Sequence, residues 1–298
     1  MTTVLIAGGS GLIGTALAHH LRGRGDRAII LTRSPRGFVS ERQWDPSHAW
    51  LPTEALQDVD AVVNLAGAGI GDRRWTRARK VELLTSRTGP TRTLASAIAR
   101  HNADGGHIRT LVQGSAIGYY GDRPGEILDE GSTAGDGFIP ELVTRWEAAT
   151  APAREQAVPV AFARTGLVLT PDGGALAKLL PLIRLGAGGP FGAGEQMWSW
   201  ITLRDEVRAL ASLVDDPHDG PVNLTAPNPV SNGELVRAYA AALHRPAKLS
   251  VPEFALRLGV GGFAGELLAS QNVHPGVLLE RGLPYRDATI EDAAKLVQ

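Results

Sequence analysis

The chain has no cysteine among its 298 residues. That absence excludes disulfide staples, thiolate nucleophiles and cysteine-ligated metals. Lysine is almost missing too: only Lys80, Lys178, Lys248 and Lys295 occur, so the 30 basic residues are overwhelmingly arginine. Neither sign of charge is in excess, with a formal net of −1, which removes the electrostatic footprint of a nucleic-acid or anionic-membrane binder. No apolar run is long enough to span a bilayer. The stretch after Met1 lacks the basic and apolar regions of a secretion signal. The histidines have no metal-ligand spacing; His19 and His20 read as surface or half-buried helix residues, and no metal is expected. The default expectation left is a cytoplasmic globular protein, with 43% apolar residues to build its core.

The most informative segment is Val4–Gly14, VLIAGGSGLIG, an apolar strand running into a glycine turn that opens a helix. Gly8 suits a tight turn, Gly11 a close backbone approach to a pyrophosphate, and Gly14 the packing of helix on strand. The spacing is G-x-x-G-x-x-G with Gly9 as an extra glycine. Ser10, Gly11, Leu12, Ile13 and Gly14 then bring helix-start N–H groups to the phosphates. The amphipathic positions Ile13, Ala16, Leu17 and Leu21 supply the helix that the motif requires.

Apolar runs at Thr3–Ala7, Ala28–Thr32, Arg42–Asp45, Ala61–Ala66, Thr110–Gly114 and Val160–Thr165 predict buried strands. Helical patterns at Leu12–Gly23, Trp75–His101 and Ile139–Gln156 fall between several of them. This alternation predicts an α/β, Rossmann-like, doubly wound parallel sheet. The later chain is rich in Gly and Pro, with a short helix at 175–185, a strand at 197–203 and a helix at 204–215. Further helices are expected at 231–243, 252–270, 276–281 and 289–297. We expect a dinucleotide-binding domain over 1–165, with 199–225 returning to the sheet, and a smaller, mostly helical substrate lobe from 166–198 and 226–298. The Gly186–Gly194 stretch lacks the strand and helix of a phosphate loop and reads as a flexible border of the substrate site.

At the end of the second strand an NAD site usually carries an acidic residue; here stand Thr32-Arg33-Ser34-Pro35-Arg36. Guanidinium groups at Arg33 and Arg36 pair with a 2′-phosphate, and Ser34 adds a hydroxyl, favouring NADP(H). The alternative is a pair of solvated loop charges. An FAD or bare nucleotide fits the arginines less well. Asp45 accepts from the adenine amino group or makes a turn before Pro46. Leu65, Ala66 and Gly67 give close approach beside the ribose, and Gly114 sits at the next strand end. Arg87 lies on the apolar side of its helix, an unusual place for a charge, and joins the cofactor candidates.

Ser115 follows the fifth strand, placed to hydrogen-bond a substrate carbonyl or hydroxyl. Tyr119 and Tyr120 either exchange a proton, if a cation lowers their pKa, or pack as a strand-end turn. Arg164 ends the sixth strand, in a buried ion pair or facing ligand. Asp129 and Glu130 read as loop carboxylates, with Glu130 a weaker substrate candidate.

GGSGLIG (8–14), NLAGAGIGDRRW (64–75), SAIGYYGD (115–122), RWE (145–147), RTGLVLTPDGGALAKLLP (164–181) and LGAGGPFGAGEQMWSWI (185–201) together resemble the extended short-chain dehydrogenase/reductase superfamily. Within its nucleotide-sugar epimerase-like branch the chain is similar to the atypical family labelled NAD(P)-dependent epimerase, cell-division-inhibitor-like, including a tail from Val251 that looks like that family's C-terminal domain. The resemblance implies a Rossmann-like sheet, a cofactor across its carboxyl edge and a sugar-nucleotide-like substrate. Enzymes of the wider superfamily use a Tyr-x-x-x-Lys pair, whose positions here fall near Ile139 and Val143, and the resemblance implies that the narrower family is atypical at them too. None of Tyr119, Tyr120, Tyr239 or Tyr285 has a lysine four residues on. Two readings follow: an epimerase-like oxidoreductase using Ser115, Tyr119, Tyr120 and Arg164, or a catalytically silent NADP(H)-binding regulator. Helix pairs on this fold also admit a homodimer.

Overall fold

The computed structural model describes residues 1–298 apart from Ala187 and Lys248. Seven parallel strands form the central sheet: β1 (Thr3–Ala7), β2 (Arg27–Thr32), β3 (Glu41–Gln43), β4 (Ala61–Asn64), β5 (Thr110–Ala116), β6 (Val160–Thr165) and β7 (Gly220–Leu224). Their order is β7-β6-β5-β4-β1-β2-β3, so the chain reverses its winding between β1 and β4. In such sheets ligands bind outside the carboxyl ends of the strands at that reversal.

The sheet is buried on both faces, which is why its inner strands read as unbroken apolar runs. Period-two alternation divides β1 cleanly. Val4 and Ile6 join one core with Leu17 and Leu21 of α1 (Leu12–Gly23) and Leu210 and Val214 of α6 (Leu203–Asp215). Leu5 and Ala7 join the other with Leu94 and Ile98 of α2 (Arg77–Ala103). A separate core forms around Leu176 and Leu180 of α5 (Gly174–Arg184), Trp200, and Leu235 and Tyr239 of α7 (Asn232–Ala242).

Several expected boundaries shift. The third strand stops at Gln43 because Asp45 turns to cap a 3-10 turn at Pro46–His48. The helix expected over 139–156 divides into α3 (Phe138–Ala148) and α4 (Ala151–Glu155), with Pro152 in the first turn of the latter. The strand expected over 197–203 is two pieces with different partners. Met197–Trp198 pairs with Val230–Ser231, and Trp200–Thr202 with the unforeseen strand Leu167–Leu169. The helix expected over 252–270 breaks into α8 (Glu253–Val260) and α9 (Ala264–Leu268) around a 3-10 turn. Among the described residues no helix is long and apolar enough to cross a membrane.

Candidate active site

The glycine turn after β1 is built as its spacing demands. Gly8 has φ +77°, and a Cβ there would come within 2.6 Å of the Leu65 carbonyl. Gly14 lies so close to the Gly8 carbonyl oxygen that any side chain would overlap it. The Gly11 N–H donates to Gly8 O at 3.0 Å, closing the turn. Gly11 is the N-cap of α1 and offers no side chain to the first-turn N–H groups, nor does that turn contain an acid. Thr76 and Thr202 cap α2 and α6, whereas α3, α5 and α8, like α1, have no side-chain cap. The α1 start is therefore a set of unpaired donors at the positive end of a helix dipole. Ser10 and Gly11 are exposed at its rim. Leu12 and Ile13 contribute backbone only: Leu12 packs against Gly173, and Ile13 against the core.

At the end of β2, Ser34 N donates to Thr32 Oγ1 at 3.2 Å, shaping a turn that leaves Arg33, Ser34 and Arg36 exposed. Among the described residues neither arginine has a carboxylate within ion-pair distance. Glu41 accepts from the Arg36 backbone N–H at 2.6 Å. Asp45 departs from the expectation of an adenine contact. Its carboxylate takes Ser47 N at 3.0 Å and His48 Nδ1 at 2.6 Å. The Ser47 hydroxyl, which also donates to it, and then His48 hold it near 2, well below the ordinary carboxyl value, and Asp45 forms the turn before Pro46.

The β4 end is held from beneath by a buried amide. Asn64 Nδ2 donates to Thr91 Oγ1 and Gln113 Oε1, and Asn64 Oδ1 accepts from Ala66 N at 3.2 Å. Gly67 emerges exposed, with Arg87 against it; a Gly67 Cβ would meet the Arg87 Cγ at 3.2 Å. Arg87 donates to Leu83 O at 3.1 Å and stacks 5.1 Å from the Trp146 ring centroid. No carboxylate among the described residues pairs with it. Burial, reinforced by the charge of Arg79, pushes it down to about 10. Gly114 is explained by the protein alone: a Cβ there would approach the Asn64 carbonyl at 2.8 Å.

Ser115, Tyr119, Tyr120 and Arg164 do converge, around a residue that sequence reasoning missed. Ser115 Oγ donates to Glu147 Oε1 at 2.6 Å. Arg164 donates to the same carboxylate through Nε at 2.9 Å and a terminal nitrogen at 3.0 Å. Its other terminal nitrogen donates to the Tyr120 hydroxyl at 3.1 Å, and the guanidinium lies 3.5 Å from the Tyr119 ring centroid. Arg164 is thus the buried ion pair of the two alternatives. Burial opposes its charge, but the Glu147 bonds outweigh it and raise its pKa. The Tyr120 hydroxyl donates to Asn223 Oδ1 at 2.7 Å. Tyr120 is fully buried, which pushes it up to about 12 against the pull of Arg164. That shift runs opposite to the cation-lowered tyrosine of the first alternative and fits the second, in which Tyr120 packs and holds Arg164. Ile139 and Val143 are buried in an apolar cluster with Leu83 and Trp146.

Glu147 had a readable signal: Ile139, Val143 and Glu147 fall at i, i+4 and i+8, one stripe of a helix. Glu130 is a clamp, its Oε1 accepting from Asn223 N at 3.0 Å and Val277 N at 3.2 Å. Asp129 caps its own turn through Gly131 N. The Gly186–Gly194 stretch, of which Ala187 lies outside the described residues, is tied down where described. Phe191 N donates to Asn232 Oδ1 and Gly192 N to Val251 O.

A family model described as the NAD-dependent epimerase/dehydratase family matches residues 4–225. The chain belongs to that family. A second model, a domain of unknown function named DUF1731, matches residues 251–297 of this family member. An epimerase family protein of Mycobacterium bovis is 43% identical over 292 residues, 97% of this chain and 95% of that one. The bovine epimerase family protein SDR39U1 is 38% identical, covering 99% of both chains. The crystal structure of human SDR39U1 with NADPH is 34% identical, with a TM-score of 0.90 over 99% of this chain and 98% of that one. UDP-N-acetylglucosamine 4-epimerase from Bacillus cereus, 16% identical with a TM-score of 0.73, shares the fold.

Proposed function

We propose that this family member binds NADP(H) across the carboxyl edge of its sheet and acts on a hydroxyl or carbonyl of a sugar-nucleotide-like small molecule, without a Tyr-x-x-x-Lys pair. The observation that carries the cofactor is the set of arginines without carboxylate partners around the β1–β4 reversal. Arg33 and Arg36 are exposed in the turn after β2, open to a 2′-phosphate, and Arg87 lies beside Gly67. The uncapped α1 start fits a pyrophosphate, and the likeness to human SDR39U1 crystallised with NADPH supports the same reading. When bound, NADP(H) would supply a hydride acceptor or donor at its nicotinamide ring. The chain's own part is to hold phosphates on α1 and the arginines, and to present Ser115 and Tyr119 at the β5 end. Arg164 and Tyr120 keep Glu147 and Ser115 in position.

One observation favours a second reading, a silent NADP(H)-binding protein. Ile139 and Val143 are apolar and buried, and burial pushes the Tyr120 hydroxyl up to about 12. NADPH fluorescence titration, followed by absorbance decay against a panel of carbonyl compounds and nucleotide sugars, separates the two. Binding with consumption supports the enzyme. Binding without consumption supports the regulator.

A further inference from the structure

We propose that Glu147 fixes Ser115 as a hydrogen-bond acceptor toward the ligand, so that the ligand group held there is a hydroxyl and not a carbonyl. The proposal rests on the reading that substrate is held at Ser115. A serine hydroxyl has one proton and two acceptor lone pairs. The Glu147 carboxylate accepts from Arg164 through both oxygens, at 2.9 and 3.0 Å, and stands in this pair as an acceptor. Ser115 Oγ stands 2.6 Å from it, the short separation of a hydroxyl donating to a carboxylate. Turning that proton toward a ligand carbonyl would leave two sets of oxygen lone pairs facing each other at 2.6 Å.

Glu147 cannot relax to allow this, because its counter-ion is pinned. Arg164 lies on the Tyr119 ring and donates to the Tyr120 hydroxyl. The Tyr120 proton is likewise committed, to Asn223 Oδ1. Among the described residues nothing donates to Ser115 Oγ, so its lone pairs are what it offers. This wall of the site therefore selects the alcohol member of an alcohol–ketone pair. Glu147, acting through Ser115, is a positioning residue.

The test compares cyclohexanol with cyclohexanone on the full ¹⁵N-labelled chain by chemical-shift titration without added cofactor. No turnover intervenes, and failure of the NADP(H) reading, tested separately by NADPH titration, leaves the result legible. The alcohol should bind about fivefold more tightly, the ratio set by one net hydrogen bond. Ser115→Ala should erase that preference by weakening the alcohol while sparing the ketone. A tighter ketone, or an alcohol preference that survives Ser115→Ala, overturns the proposal. Because loss of Glu147 endangers folding, its role is read in the wild type. A Ser115 hydroxyl proton protected from exchange and in NOE contact with Glu147 is expected, whereas a rapidly exchanging one contradicts it.

Discussion

Glu206 shows how one side chain can set a pH dependence. It is fully buried in the first turn of α6, its Oε1 accepting from the Thr165 hydroxyl at 2.8 Å and its Oε2 without a partner among the described residues. Burial raises it from 4.5 to about 8, against the Thr165 bond. The folded chain therefore keeps a proton that the unfolded chain releases above 4.5. The contribution of Glu206 to stability is full below that value and is lost as pH rises towards 8. Glu206→Gln removes the titration. Its melting temperature should exceed the wild type's by a margin that widens from pH 5 to pH 8; a constant margin would show that Glu206 is not the cause. At the same scale, the sequence revealed Gly8 and Gly14 through local constraints, the positive-φ turn at Gly8 and the contact of Gly14 with it, while the approach of Gly8 to the Leu65 carbonyl shows only in the fold. Glu147 was legible in its helix stripe but not in its role, because its partners, Ser115 and Arg164, arrive on separate strands. Asp45 was legible in type but not in role, since only the closed turn shows both of its partners.

Among the elements, α1 carries the sharpest constraint. Gly14→Ala forces a methyl into the Gly8 carbonyl and should cost about 1–3 kcal/mol, the range for overpacking, together with loss of NADPH binding. Gly23→Ala ends the same helix in open space and should be neutral or slightly stabilising. Denaturant melts of the pair check both; equal effects would contradict the account. The breaks at Pro152 and around Gly261 were missed because apolar periodicity continues across them. Helix patterns report burial of a face, and a short break need not disturb the face. The short strands at Leu167–Leu169 and Trp200–Thr202 exist through their mutual pairing, which no local pattern announces.

At the scale of the whole molecule, the segment from Val251 is bolted to the sheet rather than appended. Asn223, on β7, donates through its side chain to His274 O at 2.9 Å, while its backbone N–H and that of Val277 share Glu130. Asp287 is buried against Arg204 and Thr202. Glu130→Ala would leave two N–H groups without their acceptor, at about 1–3 kcal/mol for unsatisfied buried donors. Hydrogen exchange should then speed up at Asn223 and Val277 and across 272–280; unchanged protection would exclude the clamp. The same network reaches the site, since the Asn223 side chain also receives the Tyr120 hydroxyl that steadies Arg164.

The central claim is that the charges at the end of β2 select NADP(H). The most direct measurement is the affinity of Arg33→Ala for NADPH and NADH, by fluorescence titration at fixed ionic strength. Losing one charge-assisted contact of about 1.5–3 kcal/mol predicts NADPH binding weakened roughly 10- to 100-fold, with NADH changed less than about twofold. Equal weakening of both cofactors, or no change in either, would contradict the account.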